Sequence, residues 1–485
     1  MPTLSRHYRP GPASAVAEPG SLARRFAAIR AELGVPGPFP SPVLAEAERV
    51  AARATDPIPD RTDLGFWTLD PAGSMDLDQA LHLARDGAGY QVRYAIADLP
   101  SFVTPGGAID TEARDRVQTI YLPDGRVPLH PPVLSEGAAS LLPGQTRPAY
   151  VWELRLDADG ELVDAGDVKV ARALVRSRDR RDYQQAQASV DAGSEDEQVA
   201  LLAEIGRLRI ARERDRGGAS LPMPEQQVVH DARGHYRLEY RPPMEAESWN
   251  AQISLLTGMA AAQLMLEAGV GILRTMPAPG SRDVRRFKRQ ARALGVPWSS
   301  GQRYGDFIRA LDTADPRQLA LVFEATSLFR GADYTPIDGH LPRQRIHAAV
   351  AAPYAHVTAP LRRLVDRIGL VVCGALSSDR PVPEWARAVL TDLPERMAEG
   401  HRRAATVERA CTDAVETALL RPMIGRDLAA TVVDLSGRSQ MPVVQLTEPA
   451  VLARADGTAE PGDQVTVRVR GAEVETGHLD LAIVG

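Results

Sequence analysis

The sequence predicts an α+β fold, preceded by a small helical region and followed by a five-stranded β-barrel. Strand-like and helical stretches mix between residues 63 and 420 without regular βαβ alternation. From Asp427 onward, five short strand-like runs are separated by turns, which is typical of an OB-type barrel. We therefore expect three domains, at residues 1–62, 63–420 and 421–485.

The first domain reads as two helices joined by a short connection. Apolar residues recur at helical spacing from Leu22 to Leu33, Ser21 can cap this helix and Gly34 can end it. A second helix begins at Ser41, followed by proline. The pair fits a helix-turn-helix or winged-helix module, and a small helical lid packed on the second domain fits equally well.

In the second domain, residues 247–266 and 394–420 read as long helices, 66–69 and 90–97 as strands, and 332–345 as irregular chain. The strands predicted in the third domain are 428–434, 443–446, 450–454, 464–469 and 478–484. This last domain contains no Phe, Tyr or Trp, the residues on which OB folds usually stack bases. If it binds a nucleic acid, it must do so electrostatically, through Arg438, Arg454, Arg468 and Arg470; the alternative is a structural cap.

Three carboxylates lie within nine residues in the second domain: Asp70, Asp76 and Asp78. Side chains two apart share a face of an extended chain, and Pro71 and Gly73 allow a turn that brings Asp70 beside the other two. Carboxylates this close repel each other unless a cation separates them, and Mg²⁺ or Mn²⁺ prefers such oxygen ligands. The alternative is a solvated acidic turn.

Composition excludes several classes of protein. The only lysines, Lys169 and Lys288, do not follow glycine, so there is no P-loop. No apolar run approaches the about 20 residues that a membrane span needs, and the N-terminus lacks the apolar core of a signal peptide. The formal charge of −6 is unusual for a nucleic-acid enzyme, but basic residues cluster at 172–181, 282–289 and 362–363. Each cluster is either a binding surface for a nucleic acid or a solvated helix face.

A second motif lies about 280 residues after the aspartates and reads Tyr-Ala-His-Val-Thr-Ala-Pro-Leu-Arg-Arg-Leu-Val-Asp, residues 354–366. Together with segment 70–81, it resembles the signature motifs of the RNase II (RNB) family of exoribonucleases. Segments 95–98, 116–123 and 134–148 resemble further family elements, in the same order. The resemblance implies an RNB-type catalytic domain and, less strongly, an S1-like barrel at the C-terminus.

The resemblance also implies roles for individual residues. Asp70, Asp76 and Asp78 would hold metal, and Asp78 would also help to orient the attacking water. Two metal ions about 4 Å apart can activate water and stabilise the leaving oxygen. Arg362 resembles the catalytic arginine of the family, and its alternative is a salt bridge to Asp366. The implied RNA-contacting residues are Tyr121, Arg116, Tyr183, Asn250 and Arg363, although Tyr121 and Tyr183 also fit as core aromatics.

Three positions depart from the family pattern. Gln79 replaces a fourth aspartate, and its amide oxygen could still ligate a metal with one charge fewer. Leu364 replaces a tyrosine, and Asn250 stands where a glutamate near the 2′-hydroxyl is expected. These changes put the occupancy of one metal and the strictness of ribose discrimination in doubt.

The sequence therefore predicts a processive, hydrolytic 3′→5′ exoribonuclease that uses Mg²⁺, or Mn²⁺, and releases nucleoside 5′-monophosphates. The alternative is an RNA-binding protein that has kept the fold and lost turnover, with Gln79 as the lesion. We expect a cytoplasmic monomer that acts on single-stranded RNA 3′ ends, without a membrane partner.

Overall fold

The computed structural model describes residues 19–53, 56–164, 168–223, 225–230, 236–241, 243–436, 439–446 and 448–484. The helices of these segments are α1 (Pro19–Glu32), α2 (Ser41–Ala51), α3 (Ala108–Arg116), α4 (Tyr183–Asp191), α5 (Glu197–Arg216), α6 (Glu245–Ala268), α7 (Ser281–Ala293), α8 (Tyr304–Arg309), α9 (Pro316–Ala325), α10 (Leu364–Leu376), α11 (Glu384–Val389) and α12 (Leu393–Leu420). None of them is both long and apolar enough to cross a bilayer.

The strands of the same segments are β1 (Phe66–Asp70), β2 (Gln79–Asp86), β3 (Gly89–Ala97), β4 (Ile120–Leu122), β5 (Gly125–Val127), β6 (Thr146–Leu156), β7 (Lys169–Asp182), β8 (Glu225–His230), β9 (Tyr236–Arg241), β10 (Val270–Thr275), β11 (Asp333–Asp338), β12 (Ile346–His347), β13 (Ala352–Pro353), β14 (Asp427–Ser436), β15 (Met441–Leu446), β16 (Leu452–Arg454), β17 (Gln464–Glu473) and β18 (His478–Ile483). Strands and helices mix without βαβ alternation, which confirms the predicted α+β class.

A closed barrel of β1, β2, β3, β6 and β7 forms the centre of the second domain. Its pairs are antiparallel except for β1 and β7, which run parallel and close the barrel. Successive side chains of β3 point to opposite faces of the barrel wall, and each face is buried in a different hydrophobic cluster. Tyr90, Val92 and Tyr94 lie in one core cluster with α5 and α6, while Ala95 and Ala97 lie in a second cluster on the other face. The barrel places the ends of β1 and β2 beside the loop that precedes α10.

The five predicted strands at the C-terminus are confirmed, and they form one sheet in the order β16-β15-β14-β17-β18. Val432, Val444 and Val467 from this sheet share a hydrophobic cluster with Val407 and Cys411 of α12. In addition, α9 packs against β14. The sheet is therefore fixed to the second domain on two sides. Arg438 lies outside the described residues.

The two N-terminal helices pack on different parts of the chain. Helix α1 places Leu22, Phe26 and Ile29 in the cluster that contains α12 and the C-terminal sheet, while α2 packs against α3. These contacts favour the packed helical lid over a separate helix-turn-helix or winged-helix module. The capping position predicted for Ser21 is wrong because α1 already begins at Pro19.

The prediction of irregular chain at 332–345 is also wrong in part, because this segment contains β11, which pairs along its whole length with β10. Pro336 obscured this strand in the sequence. It is tolerated because β11 belongs to a two-stranded sheet, where one edge needs no partner.

Candidate active site

The barrel brings the two sequence motifs together at Asp78. Asp70 is the last residue of β1 and Asp78 immediately precedes β2. The backbone N–H of Leu361 donates to Oδ1 of Asp78 at 2.8 Å, and Nε of Arg362 lies 3.2 Å from Oδ2. Asp78 is 2% exposed, so these contacts are made in a water-poor environment where charge interactions are strong.

The neighbouring arginines have different partners. The guanidinium of Arg363 donates two hydrogen bonds of 2.8 Å to Asp366, which is fully buried and also accepts the N–H of Ala359. The alternative prediction of a salt bridge between Arg362 and Asp366 is therefore wrong, because Asp366 is paired with Arg363. Arg362 pairs with Asp78, and its side chain remains 45% exposed. Although burial alone would lower it, the pKa of Arg362 is raised above its ordinary value by the nearby carboxylates of Asp78, Asp70 and Asp76.

Asp76 is held by an arginine that the sequence reasoning missed. Arg126 bridges Asp76, at 2.6 Å, and Glu136, at 2.7 Å. Arg126 is also directly opposite Tyr121 in the hairpin of β4 and β5. The hairpin therefore carries Tyr121, which is 38% exposed, to the edge of the aspartate cluster. The turn at Pro123 in the sequence was the signal that could have revealed this pairing.

Burial dominates the electrostatics of the other two aspartates. It raises the pKa of Asp70 to about 7 and that of Asp78 to about 8, while Arg362 lowers both and Asp76 raises both. Oδ2 of Asp70 is buried and has no hydrogen-bond partner among the described residues. Carboxylates whose charged form is disfavoured by burial, one of them with an unpaired oxygen, have the chemistry of a cation site.

The same residues fit a hard divalent cation by their chemistry, although they are not arranged as a closed cage. The described segments contain no group of three His, Cys, Asp or Glu side chains already disposed around one point. Arg126 and Arg362 instead neutralise Asp76 and Asp78. The unpaired Oδ2 of Asp70 and an all-oxygen donor set are what Mg²⁺ or Mn²⁺ requires.

Gln79 uses both ends of its amide within the protein. Its Nε2 donates to the carbonyl oxygen of Thr358 at 2.6 Å, and its Oε1 accepts from the hydroxyl of Tyr94 at 2.9 Å. Tyr94 in turn is 2.9 Å from the hydroxyl of Ser254. The side chain thus links β2 to the second motif. Its role as a metal ligand stays a prediction.

Two of the predicted RNA-contacting residues, Tyr183 and Asn250, are bonded to each other beside the end of β1. Nδ2 of Asn250 donates to the hydroxyl of Tyr183 at 3.0 Å and to the carbonyl of Leu69 at 3.3 Å, next to Asp70. Oδ1 of Asn250 is buried without a partner among the described residues. Arg116 is not brought into this group.

Arg116 is 3% exposed and is committed to structural contacts. It donates to Glu112 at 2.7 Å and to the carbonyl of Gly37 at 2.6 Å, and it lies over the ring of Phe39, 3.8 Å from its centroid. It joins α3 to the segment between α1 and α2. In this arrangement its guanidinium does not face the cluster of aspartates.

Comparison with known proteins identifies the fold. The model of the RNB domain matches residues 59–372, which is more than half of the chain. The chain belongs to the RNB family. A second model, the RNase II-type exonuclease C-terminal S1 domain, matches residues 426–484. The five-stranded sheet after the RNB domain is therefore S1-like.

The relatives include proteins named as exonucleases and one named as a pseudonuclease. The "Probable exosome complex exonuclease RRP44" of Caenorhabditis elegans is 29% identical over 334 residues, which are 64% of this RNB chain and 34% of that protein. The structure of Mycoplasma genitalium RNase R in complex with ribose-methylated single-stranded RNA has a TM-score of 0.84 at 18% identity, covering 96% of this chain and 79% of that one. The yeast pseudonuclease Ssd1 has a TM-score of 0.68 at 17% identity, covering 92% and 57%. The chain spans about a third to a half of the length of the curated relatives it matches.

Proposed function

We propose that this RNB protein is a hydrolytic 3′→5′ exoribonuclease that degrades RNA processively to nucleoside 5′-monophosphates. The observation that carries the proposal is the clamp on Asp78, which accepts a hydrogen bond from Leu361 and pairs with Arg362. This contact unites the acidic motif with the arginine motif at one buried point beside Asp70. Acidic groups next to an exposed guanidinium are what phosphodiester hydrolysis needs.

Each residue has a chemical task in this proposal. Asp70, Asp76 and Asp78 would hold a divalent cation, Mg²⁺ first and Mn²⁺ second, which would supply a Lewis acid and lower the pKa of water. Within the described residues, Arg362 contacts Asp78 through Nε alone of its three guanidinium nitrogens. Its two Nη groups can therefore donate to the non-bridging oxygens of a phosphate. As negative charge develops on those oxygens, the planar fork stabilises it.

The RNA end is positioned by residues around the cluster. Tyr121 is exposed beside Asp76 and Arg126, and its ring can stack on a terminal base, a contact worth about 1–3 kcal/mol. Tyr183 and Asn250 lie on the opposite side, next to Asp70. The unpaired Oδ1 of Asn250 can accept a hydrogen bond from a ribose 2′-hydroxyl. In this proposal the protein acts as a cytoplasmic monomer on single-stranded 3′ ends.

The test uses one 5′-labelled single-stranded RNA in linear and circular form, with and without Mg²⁺. We expect the linear RNA to be shortened to a small end product only with Mg²⁺, and the circular RNA to stay intact because it has no 3′ end. Cleavage of the circle would show an endonuclease and contradict the proposal.

A second candidate is an RNA-binding protein without turnover. Two observations favour it, namely the aspartates that are neutralised by Arg126 and Arg362 and the likeness to the pseudonuclease Ssd1. It predicts that linear RNA is retarded in a gel and never shortened, with either Mg²⁺ or Mn²⁺. We favour the enzyme because Asp70, Asp78 and Arg362 meet at one point, with one carboxylate oxygen still unpaired.

A further inference from the structure

Helix α7 separates apolar and basic residues onto opposite faces. Val284, Phe287 and Ala291 face inward, where they pack in a cluster with α8 and α9. Phe287 and Ala291 are fully buried. Six basic side chains and one acidic side chain occur among the 13 residues of the helix. This concentration is notable in a chain whose formal charge is −6.

Four of the arginines form one row on the outer face, defined here as the arginine stripe: Arg282, Arg285, Arg289 and Arg292. Their spacing of three, four and three residues keeps them on one side of a helix over about 15 Å. All four are exposed, and none has an ion pair or hydrogen bond from its guanidinium to a residue that the structure describes. By contrast, Arg286 beside them pairs with Glu324 at 2.6 Å.

The arginines of the neighbouring S1-like sheet are mostly neutralised. Arg468 makes two hydrogen bonds to Asp427, of 2.6 and 2.8 Å. Arg470 pairs with Asp480 and Asp456. The same domain lacks aromatic residues for base stacking. Its exposed arginines therefore offer little free positive charge to a polyanion.

The arginine stripe is next to that sheet. A Cβ atom placed on Gly462, in the turn before β17, would lie 3.0 Å from Leu294, the residue that follows α7. In addition, α9 packs on β14. Helix α7 thus places unpaired positive charge beside the S1-like sheet.

We propose that the arginine stripe binds the phosphate backbone of RNA upstream of the 3′ end that enters the active site. The inference rests on the proposed function for the identity of the RNA as substrate. Guanidinium groups bind phosphates bidentately, and a row of them follows a backbone without reading sequence. A bilayer is disfavoured as partner because the apolar face of α7 is already buried in the protein, so nothing is left to insert.

The test compares the binding of two RNAs to the full chain: one of about 30 nucleotides, longer than the about 4–16 nucleotides that one OB-fold site covers, and one of about 5, at the short end of that range. The stripe variant carries Arg282→Gln, Arg285→Gln, Arg289→Gln and Arg292→Gln. The control variant carries Arg53→Gln, Arg85→Gln, Arg155→Gln and Arg387→Gln, four exposed arginines that are each paired with an acid. Both variants lose the same charge.

We expect the stripe variant to bind the long RNA at least about tenfold more weakly, with the slope of log affinity against log salt reduced by about 3. Binding and hydrolysis of the short RNA should stay at the wild-type level. The control variant should match the wild type on both RNAs. Unchanged affinity of the stripe variant, or an equal loss in the control, would overturn the inference.

Phosphatidylserine–phosphatidylcholine vesicles supply the competing partner. If the stripe variant loses vesicle binding and keeps its affinity for long RNA, the stripe is a lipid site and the inference is wrong. If the wild type binds the long RNA more tightly than the stripe variant does, but hydrolyses neither RNA, the proposed exoribonuclease function is wrong and the RNA-binding role of the stripe stands. If the stripe variant hydrolyses RNA and binds the long RNA as tightly as the wild type, the RNA-binding role of the stripe is wrong and the proposed function stands.

Discussion

Oδ1 of Asp78 accepts the backbone N–H of Leu361, which is 283 residues away in the chain. A second long-range hydrogen bond, of 3.0 Å, runs from the backbone N–H of Thr119 to the carbonyl oxygen of Arg362. Backbone groups are rigid donors, so Asp78 is oriented by the fold rather than by a flexible side chain. The position of the carboxylate and the position of the arginine are therefore set together.

Asp78→Asn should retain RNA binding but lower single-turnover hydrolysis by at least about a hundredfold. The amide keeps an oxygen for the N–H of Leu361, so the fold is preserved, whereas the charge that organises a cation is lost. Rapid-quench kinetics with saturating protein measures the chemical step directly. A rate within a few-fold of the wild type would refute the role of Asp78.

Arg362→Lys should lower turnover by about a hundredfold, because an ammonium cannot make the planar two-point contact to phosphate. The free energy of unfolding should change by less than about 1 kcal/mol, because lysine keeps a positive charge beside Asp78 and the side chain is 45% exposed. Arg363→Lys is the matched control. It should cost about 1–3 kcal/mol of unfolding free energy because buried Asp366 loses its fork. The reverse pattern in urea unfolding and kinetics would exchange the two roles.

Gln79→Glu should cost about 1–3 kcal/mol of unfolding free energy at neutral pH. The new carboxylate would face the carbonyl oxygen of Thr358, which now accepts a hydrogen bond from Nε2 of Gln79. Tyr94→Phe, which removes the bond to Oε1, should cost less because it leaves no charge unpaired. Urea unfolding measures both.

A different result at this position would support the metal-ligand prediction. If Gln79→Asp keeps its stability and reaches half-maximal activity at lower Mg²⁺, residue 79 faces the cation and not Thr358.

Gly400→Ala should destabilise the protein by about 1–3 kcal/mol through overpacking. A Cβ there would lie 2.6 Å from Cγ1 of Val117. Val117 is buried and has a φ of +68°, and its carbonyl accepts the N–H of Leu364, the first residue of α10. A β-branched residue in this conformation has little room to move. Gly37→Ala is the control, since nothing lies within 4 Å of its Cβ position. Equal melting temperatures for the two variants would contradict the prediction.

His130 should make the wild type sensitive to mild acid. Burial lowers the pKa of His130 to about 3, with Arg367 adding to the effect and Asp110 opposing it. The unfolded chain binds a proton below its ordinary value of 6.5, and the folded chain does not. The free energy of unfolding should therefore fall by up to about 1.4 kcal/mol per pH unit as pH drops from 6.5 toward 3.

His130→Leu should remove this part of the pH dependence, and urea unfolding at pH 7 and pH 5 measures it. Both ring nitrogens are buried without partners among the described residues, so leucine sacrifices no hydrogen bond there. An unchanged difference between the two pH values would assign the acid sensitivity to other groups.

The sequence alone was sufficient for features that depend on local order. The long helices α6 and α12 and the five C-terminal strands follow from periodicity and turn residues within each segment. The aspartates stood out by their residue type and spacing, whereas the pair Arg362–Arg363 was recognised by the resemblance of its segment to the family motif. The sequence also excluded a P-loop enzyme, because a P-loop needs a lysine directly after a glycine and neither lysine of the chain follows one.

Only the tertiary structure decided which groups meet. The parallel pairing of β1 with β7 closes the barrel, and no local pattern specifies a partner about 110 residues away. Arg362 and Arg363 are adjacent and chemically identical, yet one meets Asp78 and the other Asp366, because the turn before α10 directs them apart. Gln79 reads as a weakened metal ligand in the sequence but bonds to Thr358 in the fold. Hydrogen bonds act over about 3 Å, so partners far apart in the chain are chosen by the folded backbone.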